Sequence, residues 1–155
     1  MSSFTANSST PSKQDPIAAG DFWPRIEMDV LRETIRIPGD VTPQRLRATV
    51  VMAVMSVMAE LDSWRTEREA AGYRTLNEVP AAIVDGQPYL VQLFLRAVYC
   101  ATAVELHERY RSYDATAQGN QRADDLSPTI DEMRRDLRNA ISDLLGTRRV
   151  TVELI

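Results

Sequence analysis

The feature that most constrains the fold is an apolar, periodic segment that begins at Thr42-Pro43 and ends at Gly72. A threonine before a proline favours a helix start, because threonine can cap free N–H groups and proline lacks the N–H that would stay unpaired. Apolar residues then recur at helical spacings of three and four. They are Leu46, Val50, Val54, Val57 and Leu61. The sequence therefore predicts one helix from Pro43 to about Ala71, with Gly72 as its C-cap.

The middle of this predicted helix is apolar on most faces. Val51, Met55 and Met58 widen the apolar stripe, and no charged residue occurs from Ala48 to Ala59. A helix that is apolar all round is normally enclosed. We therefore predict that neighbouring elements surround it, and we favour core packing over the alternative of an adaptable, methionine-rich binding face.

Three further helices are predicted from the same spacing. A short one covers about Glu27 to Ile35, and two long ones cover Tyr89 to Asp114 and Pro128 to the stop at Gly146, with Ser127 as the cap of the last. The predicted fold class is all-α, a small bundle of about three long helices plus the short N-terminal helix. The predicted core includes Val50, Val54, Leu61, Phe94, Ala101, Leu137 and Ile141.

The N-terminal region divides into two parts by composition. Residues 1–20 are rich in serine, threonine and proline and offer little to bury, so we predict a disordered arm. Phe22 and Trp23 follow and are too apolar for a linker, which predicts that they pin the arm onto a body covering residues 21–147.

The chain closes with "RRVTVELI", residues 148–155, in which apolar and polar residues alternate as in a strand. We find no strand pattern of comparable quality nearby. We interpret the segment as an extended tail that binds another protein by strand addition, with a frayed terminus as the alternative. The candidate protein-binding residues are Arg148, Arg149, Val150, Val152, Leu154 and Ile155.

A second candidate region is the stretch "YRSYDATAQGNQRADDLSPTID", which interrupts the apolar pattern between the last two helices. Its central connection, 114–126, is longer than most structureless connections, and long loops are often functional. The open alternatives are an active-site loop and a surface for a partner. The candidate protein-binding residues are Asp114, Gln118, Asn120 and Asp124.

The sequence gives little support for catalysis. It has no nucleophile elbow, P-loop or dinucleotide fingerprint. His107 is the only histidine and Cys100 the only cysteine, and we interpret them as a partly exposed helical residue and a small buried hydrophobe. We assign no catalytic, cofactor-binding or metal-binding residue. The weakest alternative is a metal-dependent hydrolase that uses the carboxylates of Asp124, Asp125, Asp131 and Glu132.

Charge and hydropathy argue against a general nucleic-acid-binding protein and against a membrane protein. The net charge of −4 lacks the basic balance typical of general nucleic-acid binding. The longest uncharged run of the body, Ala48 to Ala59, is shorter than the roughly 20 residues that span a bilayer. The N-terminus has no signal-peptide pattern. We therefore expect a protein made in the cytoplasm, with no membrane partner.

Three stretches resemble one known family. They are "RLRATVVMAVMSVMAELDSWRTEREAAGYRTLNEVPA", "HERYRSYDATAQGNQRADDLSPTIDEMRRDLRNAI" and the closing "RRVTVELI". Together they resemble the phage head completion proteins, called gpL in contractile-tailed temperate phages. The resemblance covers about Phe22 to Ile155, and the block from Glu108 to Leu137 is its most specific part.

The resemblance implies a structural virion protein without catalysis or cofactors. It implies a head–tail connector, assembled in the host cytoplasm, that docks as a dodecameric ring beneath the portal protein after DNA packaging. Such a ring would retain the packaged DNA, which passes through it, and would give the tail-side completion protein an attachment site. Segment 114–126 would then present a surface. The alternative is a small cytoplasmic helical adaptor or regulator.

Overall fold

The computed structural model of the protein describes residues 14–37, 41–110 and 130–147. The described residues are mostly helical with one small two-stranded sheet, so the predicted all-α class holds in its main feature. The helices are α1 (Met28–Thr34), α2 (Pro43–Glu60), α3 (Asp62–Ala70), α4 (Tyr89–Tyr110) and α5 (Ile130–Leu145). A 3-10 turn (Leu76–Glu78) and a hairpin of β1 (Ile83–Val84) and β2 (Gln87–Pro88) lie between α3 and α4.

Helix α4 is the centre of the fold. It packs extensively against both α2 and α5. Phe94, Ala97 and Val98 on α4 are fully buried, as are Leu46 and Val50 on the facing side of α2. The core therefore consists of small and medium-sized side chains between α2 and α4, with α5 closing the other side of α4.

By length and composition alone, α4 is also apolar enough to cross a membrane, with a mean hydropathy of 1.3 over Tyr89–Arg109. The search for long uncharged runs in the sequence did not find this helix, because Arg96 interrupts its apolar residues. In the fold, 61% of this stretch is buried, as in the core helix of a globular protein.

The part of the N-terminal segment that packs on the body begins at an earlier residue than predicted. Ile17 and Ala19 are buried, and Ile17 exchanges two backbone hydrogen bonds with Ile26, at 3.0 and 2.9 Å. The predicted extent of the disordered arm, 1–20, is therefore too long. A single isoleucine and its flanking alanines in a polar, proline-rich stretch gave too weak a pattern to reveal this contact. Residues 1–13 lie outside the described residues.

The prediction that Phe22 and Trp23 pin this segment is confirmed. Both side chains are 4% exposed, and the Trp23 ring stacks on the Phe94 ring with centroids 4.5 Å apart. Trp64 of α3 lies on the other side, 6.4 Å from the Trp23 centroid. This aromatic cluster joins the N-terminal segment to α3 and α4.

Two nested deletions should separate the packed from the dispensable part of the N-terminus. Deletion of residues 1–13 should leave the melting temperature unchanged, because the described core begins at Ile17. Deletion of residues 1–19 should lower the free energy of unfolding by about 2–4 kcal/mol, from one buried isoleucine and its backbone hydrogen bonds. Circular dichroism melting curves test this, and equal melting temperatures for the two deletions would contradict the contact with Ile26.

The predicted start and end of the long second helix are confirmed, but it is two helices rather than one. The Thr42 hydroxyl accepts a hydrogen bond from the Arg45 N–H at 3.3 Å, and Gly72 ends α3 with φ +99°. Leu61 separates α2 from α3 with φ −97° and ψ 3°. Its N–H still donates to the Val57 carbonyl, so the two helices join without a loop.

The prediction that neighbours surround the middle of α2 is wrong for the part of the chain that the structure describes. Val51, Met52 and Met55 are 38%, 47% and 58% exposed. One side of α2 packs on α4, and no other described element covers the opposite side. We call this opposite side the α2 outer face, made of Ala48, Val51, Met52, Met55 and Ala59.

Six of the seven predicted core residues are buried, and Leu137 is the exception. It packs against the core but remains half-buried. Helix α5 lies at the edge of the fold with α4 as its main neighbour, so the core encloses only part of its apolar stripe. The enclosed residues of α5 are Met133, Ala140, Ile141 and Leu144.

The β-hairpin was not predicted, although Asp85-Gly86 is a turn signal in the sequence. Asp85 and Gly86 have φ values of 48° and 72°, which suit the tight turn that Asp-Gly favours between two strands. Each strand has only two residues, too few to show an alternating pattern.

Candidate interaction surfaces

The residues predicted to bind other proteins lie outside the described residues. This holds for the 114–126 connection and for the 148–155 tail. The structure does describe the helix ends from which both segments depart. It therefore shows where on the fold these candidate surfaces begin.

An ion pair joins the two helix ends that flank residues 111–129, and a further pair lies within each helix end. The Arg134 guanidinium of α5 donates to the Glu108 carboxylate of α4 and to Asp131 at 3.3 Å. Arg109 and Glu105 pair one turn earlier on α4, at 3.1 Å. Exposed pairs of this kind add less than about 1 kcal/mol each. The Arg134–Glu108 pair is the one that links the C-terminal end of α4 to the N-terminal end of α5.

The metal-dependent alternative gains no support from the described carboxylates. Asp131 is engaged by Arg134, while Asp124 and Asp125 lie outside the described residues. Within residues 14–37, 41–110 and 130–147, no three histidine, cysteine or acidic side chains group as a metal site would require.

Helix α5 is completely capped before the tail begins. Gly146 has φ +69°, its N–H donates to the Asp143 carbonyl at 3.2 Å, and the Thr147 N–H donates to the Ser142 carbonyl at 2.9 Å. This pair of bonds is the Schellman arrangement, which satisfies the last carbonyls of a helix. Residues 148–155 are therefore not needed to finish α5.

A groove of about 710 Å³ runs between α1, α4 and α5. Its floor is mainly apolar, with Leu95, Ala103 and Met133 among the lining residues. Arg96 and Asp136 face each other across it at 3.9 Å. His107 lies at one end and is half-buried, as predicted. The lining residues offer an apolar surface rather than an arrangement of nucleophile and base.

Cys100 lies in this groove and is not an activated thiol. Burial raises the pKa of the Cys100 thiol; nearby Arg96 opposes the rise and Asp136 adds to it. Burial also raises the pKa of the neighbouring Tyr99 hydroxyl, with a further contribution from Glu27. Reactive cysteines have depressed pKa values. Cys100 is thus not a nucleophile, but it is half-buried rather than the small buried hydrophobe that was predicted.

This assignment predicts slow alkylation of the native protein. At pH 8, Cys100 should react with iodoacetamide at least about tenfold more slowly than in urea, because it is less accessible and less ionised. The native rate should still be rising above pH 9, since a raised pKa moves thiolate formation to higher pH. Mass spectrometry of timed samples measures both rates. A native thiol that reacts at pH 7 as fast as the unfolded one would contradict the assignment.

Two exposed apolar surfaces remain within the described residues. One is the α2 outer face. The other is a hairpin patch formed by Ile83, Val84 and Tyr89, which are 65%, 49% and 41% exposed. Contiguous exposed apolar surface commonly marks protein interaction. The uncharged run in the sequence indicated the α2 outer face, although we interpreted it as core. No sequence pattern indicated the hairpin patch.

Exposed apolar surfaces of this kind are typical of proteins that act by assembling with others. Comparison with known proteins agrees. Residues 17–155 match the family model of the phage head completion protein (GPL). The chain therefore belongs to the phage head completion protein family, which is structural and not enzymatic.

A named relative strengthens this assignment. The chain is 36% identical over 146 residues to the head completion/stabilization protein of Escherichia phage P2, covering 94% of this chain and 86% of that protein. No solved structure matches significantly. The family resemblance and the non-enzymatic class predicted from the sequence are thus confirmed, and the protein is a structural component of the phage head.

Proposed function

We propose that the protein is a head–tail connector. It docks beneath the portal protein of a DNA-filled capsid, retains the DNA and provides the attachment site for the tail-side completion protein. The observation that carries this proposal is the family match, which extends over residues 17–155. A head that has been filled through its portal needs closing at that vertex, and head completion is the role named in the family.

The C-terminal tail is the proposed docking element. Val150, Val152 and Leu154 supply an apolar side for strand addition, and Arg148 and Arg149 bind carboxylates of the partner. The cap of α5 at Thr147 supports a docking role for the tail, because the last helix is capped without residues 148–155.

The protein acts as a ring of identical subunits, a dodecamer on the portal, through which the packaged DNA passes. The net charge of −4 supports a conduit. Duplex DNA carries about one negative charge per 1.7 Å, so a basic lumen would bind its phosphates and an acidic one lets it slide. Asp114, Gln118, Asn120 and Asp124 face a neighbouring subunit or this channel.

Reconstitution with purified components tests the proposal. Filled heads from a phage that lacks this gene should lose DNA to added nuclease and should not join tails. Addition of the purified full chain should protect the DNA and restore tail joining. Heads that keep their DNA and accept tails without the protein would contradict the connector role and would favour the cytoplasmic adaptor.

A further inference from the structure

The α2 outer face is unusually uniform for a surface helix. Each of its five members lies three or four residues from another member, and no charged residue occurs from Ala48 to Ala59. Single exposed apolar residues are normal, whereas an unbroken row is not. At 1.5 Å per residue this row is about 16 Å long. Nothing among the described residues covers it.

The charges at the two ends of α2 are opposite in sign to those that a helix prefers. Arg45 and Arg47 lie near its N-terminal end, and Glu60 is its last residue. The helix dipole favours acidic residues at the N-terminus and basic residues at the C-terminus. Helix α2 has no acidic residue in its first turn and no basic residue in its last. Arg45 and Glu60 therefore gain no stabilisation from the dipole of α2.

The same charges would complement a second copy of α2. We propose that two copies of the chain pack their α2 outer faces together, antiparallel, around a two-fold axis near residue 53. The basic end of each helix then lies beside the acidic end of the other, and the two helix dipoles oppose one another. A face that is apolar in the middle and oppositely charged at its ends is self-complementary, as a two-fold interface requires.

The side chains suit this register. Ala48 of one copy lies opposite Ala59 of the other, so small residues at both ends allow the helices to approach. Met52 lies opposite Met55 at the centre, where flexible thioether side chains adapt to each other. Arg45 and Glu60 are exposed and take part in no ion pair within the described residues, so both are available to the partner copy. The dimer is a property of the free protein and does not depend on the connector role.

The size of the interface sets its strength. About three turns of one helix bury less area than the roughly 800 Å² per partner of a standard interface. We therefore expect a reversible dimer whose population depends on protein concentration. Sedimentation equilibrium of the full chain between about 1 and 500 µM spans the affinities expected of small interfaces. A monomer throughout this range would overturn the proposal.

Two matched substitutions locate the contact. Met55→Glu introduces a carboxylate at the centre of the α2 outer face and should weaken dimerisation at least about 100-fold, because two like charges would be buried together. Ile83→Glu makes the same kind of change in the hairpin patch and should alter the dissociation constant less than about twofold. Both sites are more than half exposed, so both variants should fold. If Ile83→Glu disrupts the dimer and Met55→Glu does not, the α2 interface is wrong.

Charge reversal tests the antiparallel orientation. Arg45→Glu and Glu60→Arg should each weaken the dimer about tenfold, and the double variant should restore it, because residue 45 of one copy lies within two residues of the position opposite residue 60 of the other. Each single change also suits the helix dipole, so the melting temperature should not fall. A double variant no better than the single variants would exclude the antiparallel pairing. It would point instead to a contact of the α2 outer face with a different surface.

Discussion

A chain that ends at Thr147 should fold normally and yet fail to complete heads. The free energy of unfolding should change by less than about 0.5 kcal/mol, the range of ordinary surface changes, because α5 is capped before residue 148. In complementation of a phage that lacks this gene, the truncated chain should leave heads that leak DNA and stay tailless. The expected loss of titre is several orders of magnitude, since a missing attachment site blocks every particle.

A second variant controls for tail length. Replacement of Val150, Val152 and Leu154 by serine keeps the tail but removes its apolar side, and it should reproduce the defect of the truncation. A variant in which the intervening Thr151 becomes serine should plate normally. Full titre from the chain ending at Thr147 would show that the tail is a frayed terminus and that docking uses another surface.

The largest expected loss of stability is that of Phe94→Ala, at about 3–5 kcal/mol in urea denaturation. Phe94 is fully buried on the central helix, and its ring stacks on Trp23. Removal of the ring therefore opens a cavity and also loosens the N-terminal segment. For comparison, Leu137→Ala should cost less than about 2 kcal/mol, because Leu137 is only half-buried. Equal costs for the two variants would show that the aromatic cluster is not the centre of the core.

The helices were predictable from local chemistry. Thr42-Pro43 starts α2, and Gly72 and Gly146 end α3 and α5 with the positive φ that glycine tolerates. The hairpin was not predictable beyond its Asp85-Gly86 turn, because two-residue strands carry no alternation. Nor was the burial of Ile17, which depends on a contact with Ile26 rather than on any local pattern.

The α2 outer face shows a different limit. An uncharged run such as Ala48 to Ala59 indicates that most sides of a helix avoid water, but not which molecule covers them. A helix face buried by its own chain and one buried by a second copy of the chain show the same spacing of apolar residues. In the proposed dimer, the charges at the helix ends distinguish these two cases. They acquire that meaning only once the exposed side of α2 is known.

The candidate docking residues were found by pattern and by resemblance rather than by geometry. The alternating tail and the block from Glu108 to Leu137 carry the family signal. The described structure adds the ion pairs of Arg134 and the cap at Gly146, which fix where these segments start. Long connections and terminal strands that bind other proteins acquire their partners outside the chain, so one sequence cannot specify the contacts.

Cryo-electron microscopy of purified, DNA-filled heads tests the central claim most directly. The connector role predicts density for this chain at the portal vertex alone, in a ring whose copy number equals that of the portal subunits. That density should be absent from heads made without the gene and should return on complementation. Heads that lack the chain at the portal vertex, or that carry it over the whole capsid surface, would contradict the account.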